Sequence, residues 1–145
     1  MVDSDRQDDL RRAIELMFFG YRAFTDPPDR ILERRGLGRA HHRILYFVGR
    51  NPEVSVGGLL QILAVSKQAL AAPLRQLVEM DLVAVGAGGA DRRVKRLALT
   101  GRGRALEAEL TGTQARMLAA AFDTAGAAEA AGWTRVMEAL AGAGW

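Results

Sequence analysis

The sequence of 145 residues contains no cysteine and only two histidines. Without cysteine, the chain can form no disulfide, no zinc site built on thiolates and no thiol-based redox sensor of its own. The histidines, His41 and His42, are adjacent, and neighbouring residues of a helix point about 100° apart, which does not suit a shared metal ion. We therefore expect neither a metal nor another cofactor.

Long hydrophobic runs are also missing. No apolar stretch approaches the roughly 18 residues that a membrane-spanning helix needs, and the first residues are acidic, unlike those of a signal peptide. These features predict a cytoplasmic protein without a membrane segment. With 49% hydrophobic and 26% charged residues, the composition is that of one globular domain over residues 1–145.

The parts of an enzyme are absent as well. The sequence offers no nucleophile with a nearby base, no pair of carboxylates in a Gly-rich setting and no phosphate-binding loop. The run Gly86-x-Gly88-Gly89 lies between two predicted strands, whereas a dinucleotide site needs a helix directly after its glycines. An enzymatic function is therefore not expected.

Charge is distributed unevenly along the chain. Residues 34–104 hold 13 Lys and Arg against 4 Asp and Glu, while the flanking segments hold 7 against 13. The central segment thus carries +9 and the flanks together −6. This segregation favours a module that binds a polyanion such as nucleic acid, and the alternative is a solvated basic surface.

The N-terminal part of the chain is predicted to be an amphipathic helix over residues 6–25, because apolar residues recur there at intervals of three and four. These residues are Leu10, Ile14, Met17, Phe18, Tyr21 and Phe24. Asp26-Pro27-Pro28 is expected to end this helix, since proline has no backbone N–H and biases the preceding residue away from helical geometry. Residues 26–38 would then form a connector.

A compact group of helices is predicted next. A second helix spans about 39–49, Ser55 is a candidate N-cap of a short helix, and Ser66 is a candidate N-cap of a third helix over 66–80. Pro73 should kink this last helix without breaking it. Two helices joined by a short turn, the second with a polar and small-residue outer face, match the helix-turn-helix pattern.

A β-hairpin is predicted to follow. Residues 82–85 and 94–99 have the pattern of strands around a Gly-rich turn, and the charged run Asp91 to Arg96 lies at this turn. Lys95 interrupts the alternation of the second strand, so we place it near the exposed tip. A helix-turn-helix followed by a charged hairpin is the order of a winged helix-turn-helix, here over about 39–100.

Two further helices are predicted at about 101–123 and 128–141. The outer segments 6–25 and 101–142 carry more apolar surface than a small winged domain can cover. A second copy of the chain is the simplest partner, and Leu110 is one residue expected at such an interface. The alternative is that these helices pack on each other within one chain.

The order of these elements, together with several short motifs, resembles the MarR family of bacterial transcriptional regulators. The most specific motif is Asp91-x-Arg93 followed by Leu97-x-Leu99-Thr100-x-x-Gly103. Ser66-Lys67-Gln68-Ala69-Leu70 and Leu74-Arg75-x-Leu77 are similar to the family's recognition helix, and Asp81-Leu82-Val83 to its exit into the wing. The resemblance covers nearly the whole chain. It implies a mainly α fold with a small β-hairpin, in which dimerisation helices flank a winged helix-turn-helix.

The resemblance also implies a sequence-specific regulator that binds double-stranded DNA. It would be a homodimer, held by helices 1, 5 and 6 on a pseudo-palindromic operator, and repression is the commoner role in the family. Gln68 can pair with adenine in the major groove, Arg93 matches the wing arginine that enters the minor groove, and Asp91 matches the acid that orients it. The residues expected at DNA are Ser66, Lys67, Gln68, Ala71, Ala72, Arg75, Asp91, Arg92, Arg93, Lys95 and Arg96.

Some of these roles have simpler alternatives. Ser66 is suited to capping its own helix without touching DNA. The charged wing is also the pattern of a solvated hairpin edge that resists aggregation. For the protein as a whole, the alternative is a winged-helix module that binds another protein, although such a module needs neither the wing arginine nor the basic centre.

Many members of the family bind small aromatic or phenolic compounds in a cleft between the dimer helices and the winged domain, and release DNA when occupied. The candidates for lining such a cleft are Tyr21, Phe24, His41, His42 and Tyr46. They are chosen because the first two helices are expected to meet near them. The alternative is that these side chains belong to the core.

Overall fold

The computed structural model describes residues 2–88, 91 and 93–144. The elements, in chain order, are α1 (Val2–Glu33), α2 (Arg39–Arg50), β1 (Val54–Ser55), α3 (Val56–Leu63), α4 (Lys67–Glu79), β2 (Val83–Ala87), β3 (Lys95–Leu99), α5 (Gly101–Ala125) and α6 (Ala127–Gly142). The predicted fold, mainly helical with a winged helix-turn-helix between outer helices, is confirmed. In the described part of the chain, no helix is both long and apolar enough to cross a membrane.

The helix-turn-helix consists of α3 and α4, and each helix begins at the serine predicted to cap it. The Ser55 hydroxyl accepts a hydrogen bond from the Gly58 N–H at 3.0 Å, and the Ser66 hydroxyl accepts one from the Ala69 N–H at 3.1 Å. These bonds satisfy backbone donors that the first turn of a helix leaves free. Between the helices, Ala64 takes a left-handed conformation with φ 52°, and the chain turns there.

Strands β2 and β3 form the predicted hairpin, which pairs Val83 with Leu99 at its base and Ala87 with Lys95 toward its tip. Lys95 is exposed there, as the broken alternation predicts, while Leu97 on the same strand is fully buried. The other edge of β3 pairs with β1, so the antiparallel sheet has the order β1-β3-β2. Strand β1 was not predicted, because a strand of two residues has no alternation to detect.

The hydrophobic core lies beneath the winged helix-turn-helix, in a region that we call the body (residues 25–110). Its buried side chains are Leu32, Leu37, Ile44, Leu45, Val48, Leu59, Leu70, Leu77, Leu82, Val83, Leu97, Leu106 and Leu110. The first half of α5 therefore belongs to the body. Leu110, which we expected at an interface between chains, is buried within one chain instead.

Helix α1 is longer than predicted. Asp26-Pro27-Pro28 was expected to end it, with a connector over residues 26–38, and this prediction was wrong. The helix continues to Glu33, and the connector shortens to residues 34–38. The additional turns place Leu32, which is fully buried, in the core.

A contact from a distant helix compensates for the hydrogen bond that α1 loses at Pro28. Pro28 lacks the N–H that would bond to the Phe24 carbonyl one turn earlier. That carbonyl instead accepts a hydrogen bond at 3.4 Å from Gln114 Nε2 on α5. Because Pro28 is also fully buried, tertiary packing stabilises the helix at a point where local rules predict its end.

The base of the wing is joined to the start of α5. Thr100 donates its backbone N–H to the Leu82 carbonyl at 3.1 Å and its hydroxyl to the Asp81 carbonyl at 2.6 Å. The same hydroxyl accepts a hydrogen bond from the Gly103 N–H at 3.0 Å. A Cβ at position 103 would collide with the Leu82 carbonyl oxygen. The close approach of the two segments therefore requires glycine at the end of the Leu-x-Leu-Thr-x-x-Gly motif.

Apolar side chains on the outer helices remain exposed. We call residues 3–23 of α1 together with helix α6 the arms. Ile14, Phe18 and Val136 on the arms are 68%, 62% and 65% exposed. Phe122 of α5 contacts Trp133 of α6, with ring centroids 5.4 Å apart, so α6 packs on α5 without burying its own apolar face.

Candidate nucleic-acid interface

Helix α4 packs Leu70 and Leu77 into the body and leaves its opposite side exposed. All the residues at this helix that we predicted to contact DNA are exposed, namely Ser66, Lys67, Gln68, Ala71, Ala72 and Arg75. The helix continues through Pro73, as predicted, so that Lys67 to Arg75 lie on one continuous helix. The Ser66 hydroxyl is engaged in capping that helix.

The wing brings Asp91 and Arg93 together, as the motif implies. The Asp91 carboxylate accepts hydrogen bonds from the Arg93 backbone N–H at 3.0 Å, from its Nε at 3.2 Å and from its Nη2 at 3.4 Å. The backbone bond, followed by the side-chain bonds, holds the pKa of Asp91 below its usual value. The Arg93 side chain is 91% exposed, so its guanidinium is held on one edge and open to a partner on the others.

The other basic residues of the wing differ in their exposure. Lys95 is exposed on β3, whereas Arg96 is half-buried, with its aliphatic stem against Gly88 on the opposite side of the hairpin. Arg92, which we also predicted to contact DNA, lies outside the described residues. In the described part of the wing, Arg93 and Lys95 are therefore the cations most available to an anionic partner.

A cleft of about 440 Å³ lies between α1, α2 and α5. It brings together four of the five residues that we predicted at a ligand site, namely Tyr21, Phe24, His42 and Tyr46. The structure places His41, the fifth, elsewhere. Because Tyr21 and Phe24 come from α1 while His42 and Tyr46 come from α2, the two helices meet at this cleft as expected.

The two adjacent histidines point to different helices. His41 Nδ1 accepts a hydrogen bond from the Gly38 N–H at 2.9 Å, which supplies part of a capping box at the start of α2. A backbone N–H only donates, so Nδ1 carries no proton in this arrangement. His41 Nε2 therefore carries the proton and donates to Gln76 Oε1 on α4, 2.9 Å away.

His42 faces the cleft and connects α2 to α5. Its Nε2 lies 3.2 Å from the Thr111 hydroxyl. Burial lowers the pKa of His42, and the smaller influences of Asp29, which raises it, and of Arg43, which lowers it, oppose each other. At neutral pH the side chain therefore contributes a neutral hydrogen-bonding group to the cleft.

Two arginines that the sequence analysis did not select also line the cleft. Arg43 Nη2 donates to the Tyr21 hydroxyl at 3.1 Å, and Arg39 Nε pairs with the Asp29 carboxylate at 2.9 Å. The sequence does contain a signal that could have identified them. Residues 39, 42, 43 and 46 recur at intervals of three, one and three, so they share one face of α2. Aromatic walls with cationic groups suit a small aromatic molecule that carries an anionic group.

Known proteins match this chain in sequence. The sequence profile of the MarR family matches residues 35–94, from the connector to the hairpin. Over 133 residues the chain is 44% identical to the HTH-type transcriptional regulator PetP of Rhodobacter capsulatus, a match that covers 92% of this chain and 80% of PetP.

Solved structures agree on the fold. The crystal structure of the MarR family transcription regulator SP03579 superposes with a TM-score of 0.82 at 20% identity, covering 97% of this chain and 93% of that one. A mutant of MepR from S. aureus, bound to an oligodeoxyribonucleotide, gives a TM-score of 0.63 at 17% identity and covers 88% of this chain and 97% of MepR.

Proposed function

Since this chain belongs to the MarR family of transcription regulators, we propose that it binds double-stranded DNA as a homodimer, at a pseudo-palindromic operator, and represses transcription. The observation that carries the proposal is the exposed guanidinium of Arg93, held by Asp91, together with the exposed outer face of α4. Both lie in the segment of net charge +9. MepR, a protein of the same fold solved with an oligodeoxyribonucleotide, supports DNA as the partner.

In the proposed complex, α4 enters the major groove and the wing reaches the minor groove. The Gln68 amide suits the paired donor and acceptor of adenine, whereas Ala71 and Ala72 offer only methyl groups, which suit thymine methyls. Arg93 suits a narrow minor groove, because the enhanced negative potential there attracts a guanidinium. Asp91 holds that guanidinium in one orientation before DNA binds, which reduces the entropy lost on binding.

A second copy of the chain is the proposed cover for the arms. Their exposed apolar residues, such as Ile14 and Val136, leave a surface that the single chain does not fill. With α1, α5 and α6 supplying the interface, a twofold axis relates the two α4 helices. Half-site centres are then expected about one turn of DNA, roughly 34 Å, apart.

The cleft between α1, α2 and α5 is the proposed site of a small aromatic effector that releases DNA. Tyr21, Phe24 and Tyr46 supply the aromatic walls, and Arg43 suits an anionic substituent. Because α1, α2 and α5 line the cleft together, an occupant can change how these helices pack against one another. A hydroxybenzoate is a suitable probe, and we expect it to lower duplex affinity in the wild type and not in Tyr46→Ala.

Duplex binding measured by fluorescence anisotropy at several salt concentrations tests the proposed function. Affinity should fall steeply with salt, because bound Lys and Arg displace counterions from phosphates. Arg93→Ala should weaken binding by about tenfold or more and leave the melting temperature unchanged, since Arg93 is exposed. Arg11→Ala, which removes the same charge from α1, is the control.

Two outcomes would contradict this account. Binding that is insensitive to salt, or that is undetectable with every duplex, would exclude DNA as the partner and favour a protein-binding module. An Arg93→Ala variant that fails to fold would assign the residue a structural role.

A further inference from the structure

A hydrogen-bond network ties the connector between α1 and α2 to the recognition helix α4. Gln76 Nε2 on α4 donates to the Gly36 carbonyl at 3.2 Å. Gln76 Oε1 accepts from His41 Nε2 at 2.9 Å, and His41 Nδ1 in turn accepts from the Gly38 N–H. The connector, residues 34–38, is thus held against α4 at two points.

This network gives Gln76 a role different from that of its neighbours on α4. Both polar ends of its amide bond to groups of the same chain, so the amide is held in one orientation toward the connector and α2. Gly36 adopts a left-handed conformation with φ 71°, and Leu37 is buried in the core, so the connector is also anchored from the other side. Its position relative to α4 is therefore fixed before any partner binds.

Two arginines occupy this fixed connector. Arg34 and Arg35 are exposed, and within residues 2–88, 91 and 93–144 neither side chain makes a hydrogen bond or an ion pair. Arg30 and Arg39, on either side of them, are each paired with an aspartate. The two connector arginines are thus the uncompensated cations of this region.

We propose that the connector is a third DNA contact of each protomer, in which Arg34 and Arg35 bind phosphates beside the major groove that α4 occupies. Gln76 acts as a positioning residue that holds the connector on the recognition helix. This inference rests on the proposed DNA-binding function. Contacts of this kind fix the register of the protein on the duplex and carry no sequence information of their own.

The salt dependence of duplex binding tests the arginines. The probe is a fluorescein-labelled duplex selected by the wild-type protein from a random pool. Each lost phosphate contact reduces the magnitude of the negative slope of log K against log salt by about 0.9. Arg34→Ala with Arg35→Ala should therefore reduce that magnitude by up to about 3.6 per dimer. Affinity should fall by about tenfold or more at a fixed low salt concentration, with base preference unchanged.

Arg11→Ala with Arg12→Ala is the matched control. It also removes two adjacent exposed arginines, of which Arg12 lies 4.0 Å from Glu15, but from a turn of α1 that lies roughly 33 Å along the helix from Arg34. Because this turn belongs to the arms, light scattering must give the control the mass of the wild type before the slopes are compared. The slope should stay close to that of the wild type. Equal slopes for the two double variants would overturn the proposal, since the effect would then reflect net charge alone.

Gln76→Ala tests the positioning role. It should weaken binding in the wild-type background and have no further effect when Arg34 and Arg35 are already alanine, because all three residues act through one contact. A change of base preference at one position, or an effect that adds fully to that of the double variant, would overturn the positioning role. Melting temperatures of all variants identify any loss of folding.

The same measurements distinguish a failure of the connector proposal from a failure of the proposed DNA-binding function. If the wild type binds no duplex from the pool, the proposed function fails and the connector proposal fails with it. If the wild type binds with a steep salt dependence and Arg93→Ala weakens it, while the connector variants behave as the control, only the connector proposal is overturned.

Discussion

In the body, Leu45, Leu59 and Leu97 are fully buried, whereas Ile14 and Val136 on the arms are 68% and 65% exposed. A large apolar side chain left in water forgoes roughly 1.5–3 kcal/mol of burial free energy. The body buries its apolar surface within one chain, because its helices and sheet close around a common core. The arms do not, so we expect their apolar surface to be covered by a second chain.

Substitutions in the body and substitutions in the arms should therefore have different effects on the protein. A substitution inside the body should lower the free energy of unfolding of each chain, since contacts within one core are lost. A substitution on the exposed face of the arms should leave that core intact and change assembly instead. Surface changes on α4 or the wing should affect neither folding nor assembly and act on DNA binding alone.

The largest effect is expected at the junction between the body and α5. Gly103→Ala should lower the free energy of unfolding by about 3 kcal/mol or more, because the new Cβ overlaps the Leu82 carbonyl oxygen and the neighbour is backbone. Gly101→Ala is the matched control. A Cβ there meets only the end of the Arg104 side chain at 3.8 Å, and alanine favours the helix by up to about 1 kcal/mol. Urea denaturation measures both, and equal stabilities would contradict the close approach that the structure places at this junction.

The next largest effect concerns the arms. Ile14→Asp with Val136→Asp should convert the proposed dimer to monomers in light scattering, with the dissociation constant raised by about 100-fold or more, because each carboxylate buried at the interface must be desolvated. The circular dichroism of the body should be preserved. Ile62→Asp, at a residue of the body that is 41% exposed, is the matched control and should leave the mass unchanged. If the arm variants keep the mass of the wild type, the interface lies elsewhere.

A smaller effect is expected from His42 at the cleft. Its pKa in the folded protein lies below the usual value of about 6.5, so the unfolded chain binds the proton more readily. Stability from this group is therefore present above about pH 6.5 and is lost as the pH falls toward the lower pKa of the folded state. His42→Gln keeps a partner for Thr111 and should flatten this dependence in urea denaturation between pH 7 and 5. An unchanged pH dependence would show that other groups cause it.

Local sequence rules were sufficient for much of the body. Ser55 and Ser66 each cap the helix predicted for them, and Lys95 lies exposed toward the tip of the predicted hairpin, as expected. These features depend on interactions over three residues or on the two-residue period of a strand, which a single sequence contains. The wing pair of Asp91 and Arg93 likewise lies within three consecutive residues.

The features that were not predicted depend on distant contacts. Helix α1 continues through its prolines because Pro28 is buried and Gln114, ninety residues away from Phe24, bonds to the carbonyl that Pro28 leaves free. His41 turns toward Gln76 on α4, a partner that no local pattern identifies. Arg39 and Arg43 reach the cleft only because α1 lies across α2. Such partners are decided by packing and not by spacing along the chain.

Selection of bound duplexes from a random pool tests the central claim most directly. We expect enrichment of a pseudo-palindrome whose half-site centres lie about ten base pairs apart, because twofold-related α4 helices enter successive major grooves on one side of the duplex. That single result would report the dimer, the winged fold and the DNA-binding function together. Enrichment of an unpaired half-site would contradict the homodimer, and a pool without enrichment would contradict sequence-specific DNA binding.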